Sequence, residues 1–273
     1  MKTAMCFLSS KEFWSRTRLA IDSARHWNPA LSTVVVSDSD LSSRELGESA
    51  IVLHPRVLNI GPEENWLLVG RPAIIEFAIS KLGFGAAMLI DGDTYTYNPF
   101  EAALKELAKF SMLVVPHTMR PWPNDDRSPR MSQLNLMGNY NTGFFAANYR
   151  ALQFMHWWTA QTREFPQIDL KSGFSGEQGW LRYAMDFDAN ATVFRNPGYN
   201  LAYWNVPDRC IKLVGDSYTV DDYPLVLAHF SGLLADTDTS KMSVHQDRHY
   251  LDRSGAAFKL YSNYQRLAFG RSN

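Results

Sequence analysis

Apolar positions along the chain fall into short uninterrupted runs separated by longer stretches of mixed character. Ala4–Leu8, Thr33–Val36, Ala50–Leu53, Met88–Ile90, Met112–Val115 and Gly143–Ala147 are such runs, too short for helices, and read as buried strands. Between them, Glu12–His26 places apolar residues near helical spacing. Arg71–Lys81 predicts a second helix, broken by Gly83 and Gly85, and Tyr149–Arg163 a further one capped by Asn148. Asn98-Pro99-Phe100-Glu101 has the form of a helix start, with Asn at the cap, Pro at the first helical position and Glu completing a capping box; the helix runs to Phe110. Ser175-Gly176-Glu177-Gln178 predicts another start, with Ser175 as the cap. Later, Thr192–Phe194 reads as a strand, Asn196–Asn200 as a turn feeding Leu201–Trp204, Leu225–Phe230 as a buried strand and Ser240–Phe269 as helical. Thr118–Gly138 carries prolines, Arg120, Arg127 and Arg130 with little periodicity, and predicts a long loop of the kind that serves as a lid. The alternation of strands and helices predicts an α/β fold. With no repeat or clear linker, we expect one domain over 1–273, its halves meeting near residue 115.

Composition narrows the partners. At 273 residues, 45% hydrophobic and 20% charged, the chain can bury a large core as a globular protein. A net charge of −1 and a pI near 6.7 leave no broad basic field for nucleic acid or an anionic membrane. Cys6 and Cys210 are far apart and form no C-x-x-C, which suits a reducing compartment with both thiols buried. The stretch between Lys2 and Lys11 is too short and polar for a signal peptide, and the charge-free run Met131–Tyr149 is dotted with asparagines and is no transmembrane segment. A cytoplasmic location is the expectation.

The candidate chemistry sits in Met88-Leu89-Ile90-Asp91-Gly92-Asp93-Thr94-Tyr95, where a buried strand runs into two carboxylates. On an extended strand, Asp91 and Asp93 at i and i+2 share a face and can grip one divalent cation; alternatively they cap the next turn. Strand C-terminal ends are where α/β proteins bind ligands. Ser37-Asp38-Ser39-Asp40 closes an earlier strand in the same way, and Asp38 could hold a ribose or base there or sit in a solvated turn. Trp157, Trp158, Trp180, Tyr203 and Trp204 could stack on sugar rings, though their spacing assigns most of them to the core.

Five segments in order, Leu89-Ile90-Asp91-Gly92-Asp93, Asn141 to Asn148, Glu177-Gln178-Gly179-Trp180-Leu181, Pro197-Gly198-Tyr199-Asn200 and His229-Phe230-Ser231-Gly232, resemble the nucleotide-sugar-dependent glycosyltransferases of GT-A fold. In motif order the chain is similar to the glycogenin-like retaining enzymes of family 8 and related bacterial enzymes. The resemblance implies a Rossmann-like mixed central sheet flanked by helices, in two abutting halves, with the nucleotide on the first and the acceptor on the second. It implies that Asp91, with Gly92, lies near ribose and metal, and that Asp93 and His229 ligate the metal directly. Asn141, Gly143 and Asn148 would line the donor sugar, Glu177 and Gln178 would face the reacting carbon, and Arg71 would lie near the donor sugar or diphosphate. Read alone, His229 is either a ligand or a hydrogen-bonded histidine. Oxygen ligands with one imidazole suit Mn²⁺, with Mg²⁺ as the alternative. By family habit the donor is a UDP-sugar, and the acceptor a glycan, a lipid-linked sugar or a protein.

Two departures from the family pattern matter. No lysine follows the histidine motif closely, the first basic residue being Lys241, and the family's Asp-Gln-Asp appears as Glu177-Gln178-Gly179. Retention is the expectation, with inversion using Glu177 as base the alternative. Two other functions fit parts of the sequence: a non-catalytic sugar-nucleotide or glycan binder, and a haloacid-dehalogenase-type phosphatase. The phosphatase places its aspartate pair on the first strand and a Thr where Tyr95 stands here.

Overall fold

A computed structural model of the chain describes residues 1–39, 46–47, 50–61 and 65–270. Asp40 of the polar cluster after the second strand lies outside the described residues. The first half contains β1 (Thr3–Ser9), α1 (Trp14–Trp27), β2 (Ser32–Ser37), β3 (Ala50–Leu53), α2 (Trp66–Ser80), β4 (Ala86–Ile90), β5 (Thr94–Thr96), α3 (Glu101–Lys109) and β6 (Met112–Pro116). The second half adds α4 (Met131–Met137), β7 (Tyr140–Asn148), α5 (Leu152–Glu164), β8 (Ile168–Asp169), β9 (Phe174–Ser175), α6 (Gly176–Trp180) and β10 (Ala191–Val193). A ribbon of β11 (Ile211–Val214), β12 (Ser217–Val220) and β13 (Tyr223–Pro224) follows, then β14 (Leu227–His229) and α7 (Ala256–Phe269).

Seven strands form one mixed sheet in the order β10-β6-β7-β4-β1-β2-β3. Every neighbouring pair is parallel except the two made by β7, which runs antiparallel to both β4 and β6. Because β7 is reversed, its start lies beside the C-terminal ends of β4 and β6. The apolar runs form these strands because both faces are covered: α2 and α5 pack on one side, α1 and α3 on the other, and all of β4 is solvent-inaccessible. A third core, centred on Phe230, Tyr261 and Tyr264, joins α7 to the β11–β13 ribbon. Among the described residues no helix is long and apolar enough to cross a membrane.

Several expectations are corrected. The 118–138 stretch is not all loop: it holds a helix, α4, and buried Arg248 contacts the segment through a bidentate pair with Asp125 at 2.8 and 2.6 Å and a hydrogen bond to the Pro129 carbonyl. Asn98 caps nothing, because its amide donates to the Leu225 carbonyl at 2.7 Å and α3 starts at Glu101. Ser175 makes no side-chain cap either. Helix α2 begins at Trp66 rather than Arg71, and Gly70 within it is where the helix presses on Leu8. Leu201–Trp204 is a turn with one bridge to Ala228, and the 240–269 helix is confined to α7. The late strand, shortened to β14, pairs with β5 outside the main sheet. Cys210 is exposed, whereas Cys6 is buried, and burial pushes its thiol pKa up.

Candidate functional site

The aspartate pair does not continue the strand. β4 ends at Ile90; the Asp91 N–H donates to the Gly143 carbonyl at 3.1 Å, and the Asp91 carbonyl accepts from Thr94 Oγ1 at 2.8 Å, so residues 91–93 form a turn into β5. Strand alternation is therefore not what brings Asp91 and Asp93 together. The turn does it, packed so closely on α1 that a β-carbon on Gly92 would strike Thr17. β5 then pairs antiparallel with β14, with His229 opposite Thr94, and the Phe230 N–H donates to the Asp93 carbonyl at 2.8 Å. This short ribbon carries His229 to the aspartates. Its Nε2 lies 3.0 Å from Asp93 Oδ1 and 3.8 Å from Asp91 Oδ2, and one donor atom from each residue falls within 4.8 Å of the others.

Charge in the site is nearly self-contained. Arg71 donates through Nε and Nη2 to Asp91 Oδ1 at 3.2 and 2.9 Å and through Nη1 to Glu177 Oε1 at 3.0 Å. Thr142 Oγ1 also donates to Glu177 Oε1, at 2.9 Å. Burial works against the guanidinium, but Asp91 and Glu177 outweigh it and hold Arg71 firmly protonated. Burial likewise opposes ionisation of Asp93, yet His229 overcomes it and the Asp93 pKa is lowered to about 2. For His229 burial disfavours the imidazolium, and Asp93 and Asp91 reverse that, raising its pKa above the ordinary value.

The start of β7 contributes a buried amide network. Gln178 Oε1 accepts from Asn141 Nδ2 at 3.0 Å and the Thr142 N–H at 3.2 Å, while its Nε2 donates to the Met137 carbonyl at 3.0 Å. His117, directly after β6, lies 3.3 Å from Asn141 Nδ2; burial lowers its pKa to about 4, so it accepts as a neutral ring. Neither His117 nor Asn200, which bonds both Asn141 and His229, is assigned a role by sequence reasoning. The signal for His117 was available, since a polar residue follows a buried strand there just as Asp91 follows β4. Gly143 is required by the histidine, because a β-carbon there would collide with the His229 ring.

Other candidates sit elsewhere. Asn148 is at the opposite end of β7, beside Ala86, where its amide donates to the Leu107 and Phe110 carbonyls and its oxygen caps the turn before α5. Asp38 accepts the Lys11 N–H at 3.1 Å and is not among the residues lining the cleft. Trp158 is core; Trp157 and Trp180 join a half-buried aromatic cluster with Tyr183 and Phe187; Tyr203 and Trp204 line the cleft.

All the remaining candidates border one cavity of about 650 Å³ or, for Gly143, back onto its wall. Its donor set fits a divalent cation. Asp91 Oδ1 is engaged by Arg71 while Oδ2 faces His229, so two carboxylate oxygens and an imidazole nitrogen converge on one point.

No protein-family model matches the sequence, and no curated protein matches it. Solved structures do match in fold. The galactosyltransferase LgtC, solved with donor and acceptor sugar analogs, aligns at TM-score 0.57 over 99% of this chain and 96% of its own, with 9% identity. A glycosyltransferase involved in glycosylation of the major capsid of PBCV-1 aligns at 0.52 over 84% of this chain and 92% of its own, with 14% identity. The glycosyltransferase GlyE of Streptococcus pneumoniae aligns at 0.56 over 97% of this chain but 60% of its own, with 12% identity. The strand that runs into Asp91, β4, is the fourth of this chain and not the first, which departs from the arrangement on which a dehalogenase-type phosphatase depends. The mixed seven-stranded sheet flanked by helices, with its reversed strand β7, is the GT-A glycosyltransferase fold.

Proposed function

We propose that the protein is a metal-dependent glycosyltransferase that moves a sugar from a nucleotide-sugar, a UDP-sugar in the first instance, to a hydroxyl of a glycan, lipid-linked or protein acceptor. The observation that carries this reading is the convergence of Asp91, Asp93 and His229 at the strand ends of a GT-A sheet, inside a cavity large enough for a nucleotide-sugar. Among the described residues lining that cavity, Arg71 is the one Lys or Arg, and it is already engaged with Asp91 and Glu177. The protein's own side chains therefore offer little positive charge to a departing diphosphate, which supports a requirement for Mn²⁺ or Mg²⁺. Asp91, Asp93 and His229 would hold such a cation, which would supply charge neutralisation at the leaving diphosphate.

The chain's own residues do the positioning. Arg71 locks the Asp91 and Glu177 carboxylates in a fixed relation, and Trp158 Nε1 donates to the Glu177 carbonyl at 2.8 Å from the core. Glu177 Oε1 accepts from Arg71 and Thr142, and we assign Glu177 to orienting the site. We take the reaction as retaining, with the acceptor proton passing to the leaving phosphate. Gln178 is held by Asn141, Thr142 and Met137 at the cavity wall, in position to bond a sugar hydroxyl or line the reacting face. A thermal-shift panel of nucleoside diphosphates and their sugars, with and without Mn²⁺, tests the reading; we expect metal-dependent stabilisation by UDP and slow hydrolysis of one UDP-sugar. Stabilisation without turnover of any donor would favour the non-catalytic binder, and no response to any nucleotide would remove both.

A further inference from the structure

The cavity has two unlike walls. Carboxylates, His229, Arg71 and the buried amides make one, and the other is aliphatic. Leu67 and Leu68 from the first turn of α2, Leu134 and Met137 from α4, and Ile168 and Leu170 from β8 and the turn after it all border the cavity. They gather around Glu177 and Gln178. A β-carbon on Gly176 would lie 3.2 Å from Ile168 Cγ1 and 3.3 Å from Leu68 Cδ2, so both side chains face the residue before Glu177. On the other flank, Gln178 Nε2 donates to the Met137 carbonyl, and α4 packs against β9 and α6.

This wall is only partly covered. Leu68 and Leu134 are buried, but Ile168 is 64% exposed and Met137 39%, beside the residues that form the reacting face. A free glycan would be badly served there. Each sugar hydroxyl taken out of water needs a partner, and the polar side chains near these six are Asn65, Gln133 and Ser175, with Gln133 Oε1 already accepting the Arg130 N–H. None of the six is aromatic, so they offer no ring to stack on the face of a sugar. Methionine and branched aliphatic side chains instead suit a flexible alkyl chain, whose burial is favourable through area alone. Helix α4 carries two more exposed apolar side chains, Met131 and Leu136, beyond the cavity lining.

We propose that this wall seats the aliphatic chain of a lipid-linked acceptor, with the acceptor hydroxyl at Gln178 and the chain passing over Leu170, Ile168 and Met137 to the rim. The role of the hydroxyl rests on the glycosyltransferase reading above; the seat for the chain does not.

The test uses the full chain, with and without UDP and Mn²⁺, and methyl, hexyl, octyl and decyl β-glucosides held below their micelle concentrations. Binding is read by isothermal titration calorimetry. Glucose stands in for the natural sugar, so the readout is the dependence on chain length rather than the absolute affinity. In the wild type, affinity should rise about two- to fourfold with each added methylene. Ile168→Ser/Met137→Ser removes apolar surface at exposed positions and should lower the octyl affinity about tenfold and flatten the series; Ile168→Leu should keep it. Phe187→Ser, at a position 58% exposed and outside the cavity lining, controls for unspecific adsorption and should leave the series unchanged. Affinity that does not grow with chain length, or that grows equally in the double variant, would overturn the proposal, as would a series lost in Phe187→Ser. If the series holds but no nucleoside diphosphate stabilises the protein, the glycosyltransferase reading fails and the apolar seat stands. If UDP stabilises the protein and the series is flat, that reading stands and the acceptor is not lipid-linked.

Discussion

Gly143→Ala tests whether the site is assembled as described. Gly143 is a buried residue in the first half of β7, and an ideal β-carbon there would sit 2.5 Å from His229 Cε1 and 2.7 Å from Asn141 Oδ1. Neither neighbour can yield easily: His229 is held by the β5–β14 ribbon and by Asp93, and Asn141 by the Gly143 and Gln178 bonds. Overpacking of this kind costs about 1–3 kcal/mol, and in a chain of this size each kcal/mol lowers the melting midpoint by about 2–4 °C. If the clash is with the imidazole, removing the imidazole should relieve it. The double variant Gly143→Ala/His229→Ala should therefore be less destabilised than the sum of the single variants by about 1–2 kcal/mol, measured by urea unfolding. Additive losses would mean that Gly143 is conformationally required or makes room for something other than His229, and the ribbon geometry would be wrong.

Four further outcomes follow from the same contacts. Asp93→Asn keeps the shape of the turn and loses the charge, so transfer should fall by at least about 10²-fold, with a lower melting midpoint in the metal-free protein as His229 loses its carboxylate partner; near-normal transfer would remove the cation site. Arg71→Met leaves the Asp91 and Glu177 carboxylates without their shared cation and should destabilise by about 3 kcal/mol, with a large part recovered by adding Glu177→Gln; no recovery would mean that Glu177 is not the group left unpaired. Because the His229 pKa is raised, Mn²⁺ affinity should decline as pH falls through a value above the ordinary 6.5 of histidine. In the metal-free protein the pair's stabilisation should fade as pH rises through that same His229 value, and, with Asp93 lowered to about 2, as pH falls toward 2; a pH-independent Mn²⁺ affinity would exclude ligation by His229. Arg248→Met should speed hydrogen exchange across 118–138 by releasing Asp125 and Pro129; unchanged exchange would mean that other contacts hold the segment.

Much of this site was legible because it stands where strands end. Apolar runs ending in Asp91 and beginning near Asn141 gave both the sheet and its open edge, since a strand covered on both faces has to be apolar and its first polar residue marks the edge. Helix starts are less legible: Asn98 fits a local capping rule, but its amide serves a distant partner, the Leu225 carbonyl. The pairing of β5 with β14 was not legible at all. Strands of three residues carry no period, so His229 could be joined to Asp93 only through motif order.

Asn141 and Asn148 mark where sequence reasoning stops. They belong to one strand and one motif, and nothing in their immediate neighbours separates a site residue from a cap. What separates them is the direction of β7. Because β7 runs antiparallel to β4, Asn141 arrives beside the end of β4 where Asp91 lies, and Asn148 arrives beside its beginning, under the end of α3. There each amide takes the role its surroundings leave unfilled. Asn148 satisfies the last carbonyls of a helix, which would otherwise be buried without donors. Asn141 meets a backbone N–H on one side and Gln178 on the other, and so must present its oxygen to Asn200. The function of a buried amide in this protein is thus set by which hydrogen bonds the sheet topology leaves open, and strand polarity, more than residue type, decides which asparagine belongs to the site.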